Sequence, residues 1–96
     1  MIREVNDSNW QENVKHGKSI LKSTATWCGP CRMQEPILKQ VDEETDINVF
    51  ELDIDKNPVT PEKFGVKSIP TMIVFENGKE IKRFVGVQSK NTLVNY

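Results

Sequence analysis

Cys28 and Cys31 are the only cysteines in the chain, and they sit in the run Trp27-Cys28-Gly29-Pro30-Cys31. A predicted strand precedes the run and an amphipathic helix follows it, a setting in which a Cys-x-x-Cys pair does redox chemistry. At a helix start, unpaired backbone N–H groups and the positive end of the macrodipole favour an anion. The Cys28 thiol is therefore expected to ionise more readily than a free cysteine and to be the nucleophile. Cys31, one helical turn further in, is near enough to bond to Cys28 and is the natural resolving thiol. The expected chemistry is exchange. Thiolate Cys28 attacks a disulfide, a mixed disulfide forms, and Cys31 displaces the reduced partner as the Cys28–Cys31 bond closes. Pro30 suits the first turn of a helix, and Gly29 lets a partner backbone approach closely.

Two plainer readings compete with this one. The same spacing supplies half of a zinc site, yet structural zinc takes four ligands and His16 is the only histidine, so no metal is expected. Two unrelated buried cysteines are the other possibility, and the intervening Gly-Pro and adjacent Trp27 count against it. His16 lies beside Gly17 near a helix end, where a solvated cation is favourable, and receives no catalytic role.

The elements that must position the pair can be read from periodicity. Met1 to Val5 reads as a short strand. Ser8-Asn9-Trp10-Gln11 has the form of a capping box opening a helix from about Asn9 to Lys15, stopped at Gly17. Ser19 to Ala25 is expected to be extended, and Val49 to Ile54 is a clearer strand with Phe50, Leu52 and Ile54 on one face. Between them Met33, Ile37, Leu38 and Val41 recur at helical spacing, with Gln34, Glu35, Lys39 and Glu43 on other faces. Pro36 removes a hydrogen bond to the Arg32 carbonyl and should bend this helix, leaving two shorter segments as an alternative to one rod. A short helix or turn from Pro58 to Phe64 ends at Gly65. Thr71 to Glu76 and Lys79 to Val85 flank Asn77-Gly78, a preferred type I′ hairpin pair. Ser89 is placed to cap a last, short helix carrying Leu93 and Val94. The order β-α-β-α-β-(α)-β-β-α implies an α/β fold with a central mixed β-sheet flanked by helices on both faces.

Composition narrows the function classes. With 96 residues, 36% hydrophobic and 28% charged, the expectation is a single domain over residues 1–96 with one core and no separate substrate domain. A formal charge of −1, from 13 basic and 14 acidic side chains without a basic block, argues against nucleic-acid binding. There is no run of apolar residues long enough for a membrane helix, and Met1-Ile2-Arg3-Glu4-Val5 lacks the apolar block of a secretory signal, so a cytoplasmic protein is expected.

The element order and the motifs together resemble the thioredoxin family over nearly the whole chain. Trp27-Cys28-Gly29-Pro30-Cys31 matches the family active site, and Asp53-Ile54-Asp55-Lys56-Asn57-Pro58, Ser68-Ile69-Pro70-Thr71, Asn77-Gly78 and Gly86 recur in order. The resemblance implies a thioredoxin-like fold and a cis proline at Pro70 facing the cysteines. Ile69 and Pro70 would then flank a groove for an extended substrate strand, with Trp27, Gly29, Pro30 and the residues around Gly86 forming the rest of that surface. It also implies a monomeric protein-disulfide reductase with no bound cofactor, recharged by a thioredoxin-reductase-like donor. A narrower glutaredoxin-like electron carrier would use the same chemistry. A non-catalytic binding module within a larger assembly would use the fold without the thiols.

Three departures from the family pattern stand out. The family usually carries a buried aspartate six residues before the first cysteine and a lysine facing it on the next strand. This chain has Lys22 and Glu51 there, as if the charges had exchanged places. Alternation lets the two meet beneath the cysteines, where an ammonium would favour thiolate and tune Cys31. Deprotonation of Cys31 would then fall to a neutral Lys22 or to Glu51 through water. The opposing expectation is that both side chains reach solvent from a loosely covered sheet. Ser23-Thr24 replace the family's aromatics before the motif, removing packing area, and the last helix is shorter than the family's.

Overall fold

Strand pairing sets the frame that holds the cysteines. The computed structural model describes residues 1–96 and contains one five-stranded sheet in the order β1-β3-β2-β4-β5. The strands are β1 (Arg3–Glu4), β2 (Lys18–Thr24), β3 (Asn48–Asp53), β4 (Thr71–Glu76) and β5 (Lys79–Val85). β2 runs parallel to β3, and β1 runs parallel to β3 on its other side. β4 is antiparallel to both β2 and β5, so the sheet is mixed and β1 and β5 are outermost. Parallel neighbours need a crossover, which the helix α2 (Gly29–Glu44) supplies between β2 and β3. The remaining helices are α1 (Trp10–Asn13), α3 (Val59–Phe64) and α4 (Lys90–Val94).

Side-chain alternation along the strands divides the core into two layers. On one face Ile20, Val49, Met72 and Val74 pack with Leu38 and Val41 of α2 and Leu93 of α4. On the other, Leu21, Phe50, Leu52, Ile73 and Phe75 pack with Trp10 and Val14, and Phe64 of α3 closes against Trp10 at 5.1 Å between ring centroids. Lys22 lies two residues beyond Ile20, so the alternation that buries Ile20 under α2 sends Lys22 to the same side.

Local signals account for most of the boundaries. Asn77 and Gly78 both take positive φ, 51° and 85°, as a type I′ turn requires, and Glu76 pairs with Lys79 across it. Gly65 closes α3 in the left-handed conformation. The Ser89 hydroxyl accepts the Thr92 N–H and caps α4.

Three expectations need correction. The Ser8–Gln11 capping box does not form: Asn9 occupies the N-cap of α1 without a side-chain cap. The Asn6 side chain instead accepts from the Ser8 and Asn9 backbone and from the Ser8 hydroxyl. The short Asx turn captures the donors first. Second, α2 is one helix and not two segments, because Arg32 and Pro36 are both exposed and solvent can satisfy the freed carbonyl. Third, the inner face of α2 carries Gln34, fully buried, while Met33 is 66% exposed.

Candidate active site

The turn between β2 and α2 places the first sulfur at a helix N-terminus. Cys28 is the N-cap of α2 in extended conformation, and Pro30 follows in the first turn, where no backbone bond is lost. The Cys31 N–H donates to Cys28 Sγ at 3.2 Å, so one of the helix's unpaired donors points at that sulfur. The two cysteines are joined as a disulfide with Cα atoms 5.2 Å apart. Cys28 keeps 5% of its surface exposed and Cys31 only 1%, so the outer sulfur is the one open to attack.

Around that sulfur the chain builds a surface largely from backbone. The Ile69–Pro70 peptide is cis, and the Ile69 carbonyl oxygen lies 3.8 Å from Cys28 Sγ. Ile69 also packs against Ala25 and the two cysteines. The Gly86 N–H donates to the Pro70 carbonyl at 2.8 Å, extending the β4–β5 pairing beyond the strands, and Gly86 takes φ +88°, which disfavours any side chain. Trp27 is 64% exposed, yet its indole N–H donates to Asp55 Oδ2 at 2.8 Å and is held in place. Gly29 has open space where a Cβ would stand. Val85 and Val87 leave apolar surface exposed beside Gly86.

Beneath the pair the surroundings are charged. An open cleft of about 450 Å³ is lined by Lys22, Cys31, Arg32, Glu35 and Glu51, among others. Lys22 is buried to 1% exposure and is not solvated. Its Nζ donates to Glu35 Oε2 at 2.7 Å and to the Cys31 carbonyl at 2.8 Å. Glu51 is the direct neighbour of Lys22 in the strand register, but its Oε2 stands 4.0 Å from Nζ. The expected Lys22–Glu51 contact therefore exists as the longer arm of a three-residue cluster in which Glu35 is the nearer counter-ion. Burial, then the facing carboxylate of Glu35, push the Glu51 carboxyl up to about 7, while Lys22 pulls it the other way.

A family model described as Thioredoxin matches residues 1–96. The chain belongs to the thioredoxin family. It is 44% identical over 94 residues to a thioredoxin of Staphylococcus saprophyticus, covering 96% of this chain and 90% of that one. It is 40% identical over 95 residues to a thioredoxin of Chlamydia muridarum, covering 98% and 93%. Among solved structures, a mutant thioredoxin from Halobacterium salinarum superposes with a TM-score of 0.90 at 28% identity, covering 97% of this chain and 84% of that chain. The thioredoxin fold and the thiol–disulfide oxidoreductase function follow from this membership. Protein disulfides and a reductase are the partners that the family implies. No helix is long and apolar enough to cross a membrane.

Above the sulfurs lies a surface built largely from backbone, and below them lies a charged layer. The structure brings Cys28, Cys31, Ile69, Pro70 and Gly86 together, with Trp27, Gly29 and Pro30 alongside. His16 is exposed, away from the pair. Sequence reading missed Glu35, Asp55 and Gln34. The available signal for Glu35 was its place four residues after Cys31, one turn along the same helix face.

Proposed function

We propose that the protein reduces protein disulfides, with Cys28 as nucleophile and Cys31 as resolving thiol. The observation that carries this reading is the Cys31 N–H directed at Cys28 Sγ at 3.2 Å, combined with the greater exposure of Cys28. That donor stabilises negative charge on the outer sulfur both as attacking thiolate and as leaving group. In the forward direction Cys28 thiolate breaks the substrate S–S bond and one substrate sulfur leaves as thiolate. Cys31 then loses its proton, bonds to Cys28 and releases the second substrate sulfur, so two electrons pass to the substrate.

The apolar surface around Trp27, Gly29, Pro30, Ile69, Pro70 and Gly86 receives the substrate strand, because it presents backbone groups next to the sulfurs and little charge. Lys22 and Glu51 tune Cys31 from below. Lys22 grips its carbonyl, and Glu51, poised at about 7, takes up the Cys31 proton through water in the open cleft. Residues 1–96 act as a single domain and a monomer in the cytoplasm, recharged by a thioredoxin-reductase-like flavoenzyme, with no nucleic-acid or membrane partner. Insulin-disulfide reduction by wild type, Cys28→Ser and Cys31→Ser tests the assignment. Loss of turnover in both supports it, and retained turnover in Cys28→Ser refutes it.

A further inference from the structure

Gln34 is a polar side chain with no exposed surface, one turn beyond Cys31, and it spends its whole amide on one residue. The Gln88 N–H donates to Gln34 Oε1 at 2.7 Å, and Gln34 Nε2 donates to the Gln88 carbonyl at 3.0 Å. The pair reproduces the two-bond ring of an antiparallel strand contact, with a side chain standing in for one strand. Gln88 in turn folds its own side chain back, donating from Nε2 to the Val85 carbonyl at 3.2 Å and the Gly86 carbonyl at 3.4 Å. Gly86 continues the chain of bonds to Pro70, whose neighbour Ile69 touches Cys28. The loop after β5 is thus tied on one side to the cis-proline segment and on the other to the helix that carries Cys31.

An apolar residue at position 34 would pack in the layer but take away the partner of the part-buried Gln88 N–H and carbonyl, leaving the loop free to shift until they find water. Val87, 39% exposed, and Gly86 ride on the loop so held. We infer that Gln34 is a positioning residue for the substrate groove, clamping the Gly86–Gln88 wall at a fixed spacing from the sulfurs and so setting how protein substrates fit. The inference rests on the groove reading given above. A protein substrate needs that wall; a small disulfide meeting only Cys28 does not.

Steady-state reduction of insulin and of 5,5′-dithiobis(2-nitrobenzoate) by wild type, Gln34→Met, Gln34→Asn and Trp27→Ala separates the possibilities. In Gln34→Met the insulin KM is expected to rise about tenfold, equivalent to about 1.4 kcal/mol, with kcat and the small-disulfide rate within about twofold. Amide exchange at Gln88 should quicken in the same variant, a direct readout of the released loop. Gln34→Asn keeps an amide but draws it back from the Gln88 backbone and should raise the insulin KM about threefold, which serves if Gln34→Met folds poorly. Unchanged KM in both variants, or equal loss on both substrates, overturns the inference. If Trp27→Ala also leaves the insulin KM unchanged, the groove itself is misassigned; if it raises KM while the Gln variants do not, only the clamp is wrong.

Discussion

The two sides of the Cys28–Cys31 disulfide are built on different principles. Above it, the cis Ile69–Pro70 peptide, the Gly86 N–H and the Cys31 N–H are backbone features, dictated by a proline, a glycine at positive φ and a helix start. Below it, Lys22, Glu35 and Glu51 are side-chain charges whose arrangement depends on how α2 lies across β2 and β3. Backbone geometry of this kind admits few substitutes. A charge cluster needs only opposite signs near one place, here one ammonium between two carboxylates.

The sharpest break of this comparison removes the sulfurs. Cys28→Ser should abolish insulin reduction, whereas Cys31→Ser should still attack and then stall, accumulating a mixed disulfide visible by mass spectrometry under non-reducing conditions. The next largest effect tests which carboxylate balances Lys22. Glu35→Gln leaves a buried cation without its nearest partner and should cost about 2–3 kcal/mol in urea unfolding, below the usual cost of breaking a buried pair because Glu35 is partly exposed. Glu51→Gln at pH 7 should cost less than about 1 kcal/mol. A double-mutant cycle should find stronger coupling of Lys22 with Glu35 than with Glu51, and the reverse ranking would reassign the pair.

A third experiment uses pH. Glu51 sits at about 7 in the folded chain, above its ordinary 4.5, so the fold binds this proton more tightly than the unfolded chain does. The resulting stabilisation is complete below pH 4.5 and disappears as pH rises through 7. Relative to Glu51→Gln, wild type should lose about 1–2 kcal/mol over that window after solvent screening of a half-buried group; a flat difference would contradict the assigned proton. The smallest effect lies on the upper side. Trp27→Phe removes the bond to Asp55 and should change stability by only about 0.5–1 kcal/mol while raising the insulin KM, because Trp27 is mostly exposed.

The same division explains what could be read in advance. β4, β5 and their antiparallel pairing were legible because Asn77-Gly78 is a local signal between two short alternating runs, and the α4 cap was legible because Ser89 acts within three residues; the register shift between Val74 and Phe75 was not. The cysteine pair announced itself by spacing, and the cis Ile69–Pro70 peptide beside it by family resemblance. The layer beneath was not legible in the same way. Helical periodicity put Met33 inward, since it assumes an apolar neighbour along the whole face. At Gln34 the actual neighbour is the backbone of Gln88, which asks for an amide. Strand alternation brought Lys22 and Glu51 together but could not see that α2 would deliver Glu35 closer to Nζ. Asp55 was quoted as part of a motif without its hydrogen bond to Trp27, a contact fixed only when the loop after β3 folds back.

The outermost position of β5 has a further consequence. Its free rim carries Lys79, Glu80, Lys82 and Arg83, with Arg83 paired to Glu80 at 3.1 Å, and the opposite rim, β1, is only two residues long. An unpaired strand is a template for accreting other chains, and closely spaced charges or extreme shortness are what deny that template. Both ends of the sheet are therefore guarded against fibril-like stacking of one chain on the next.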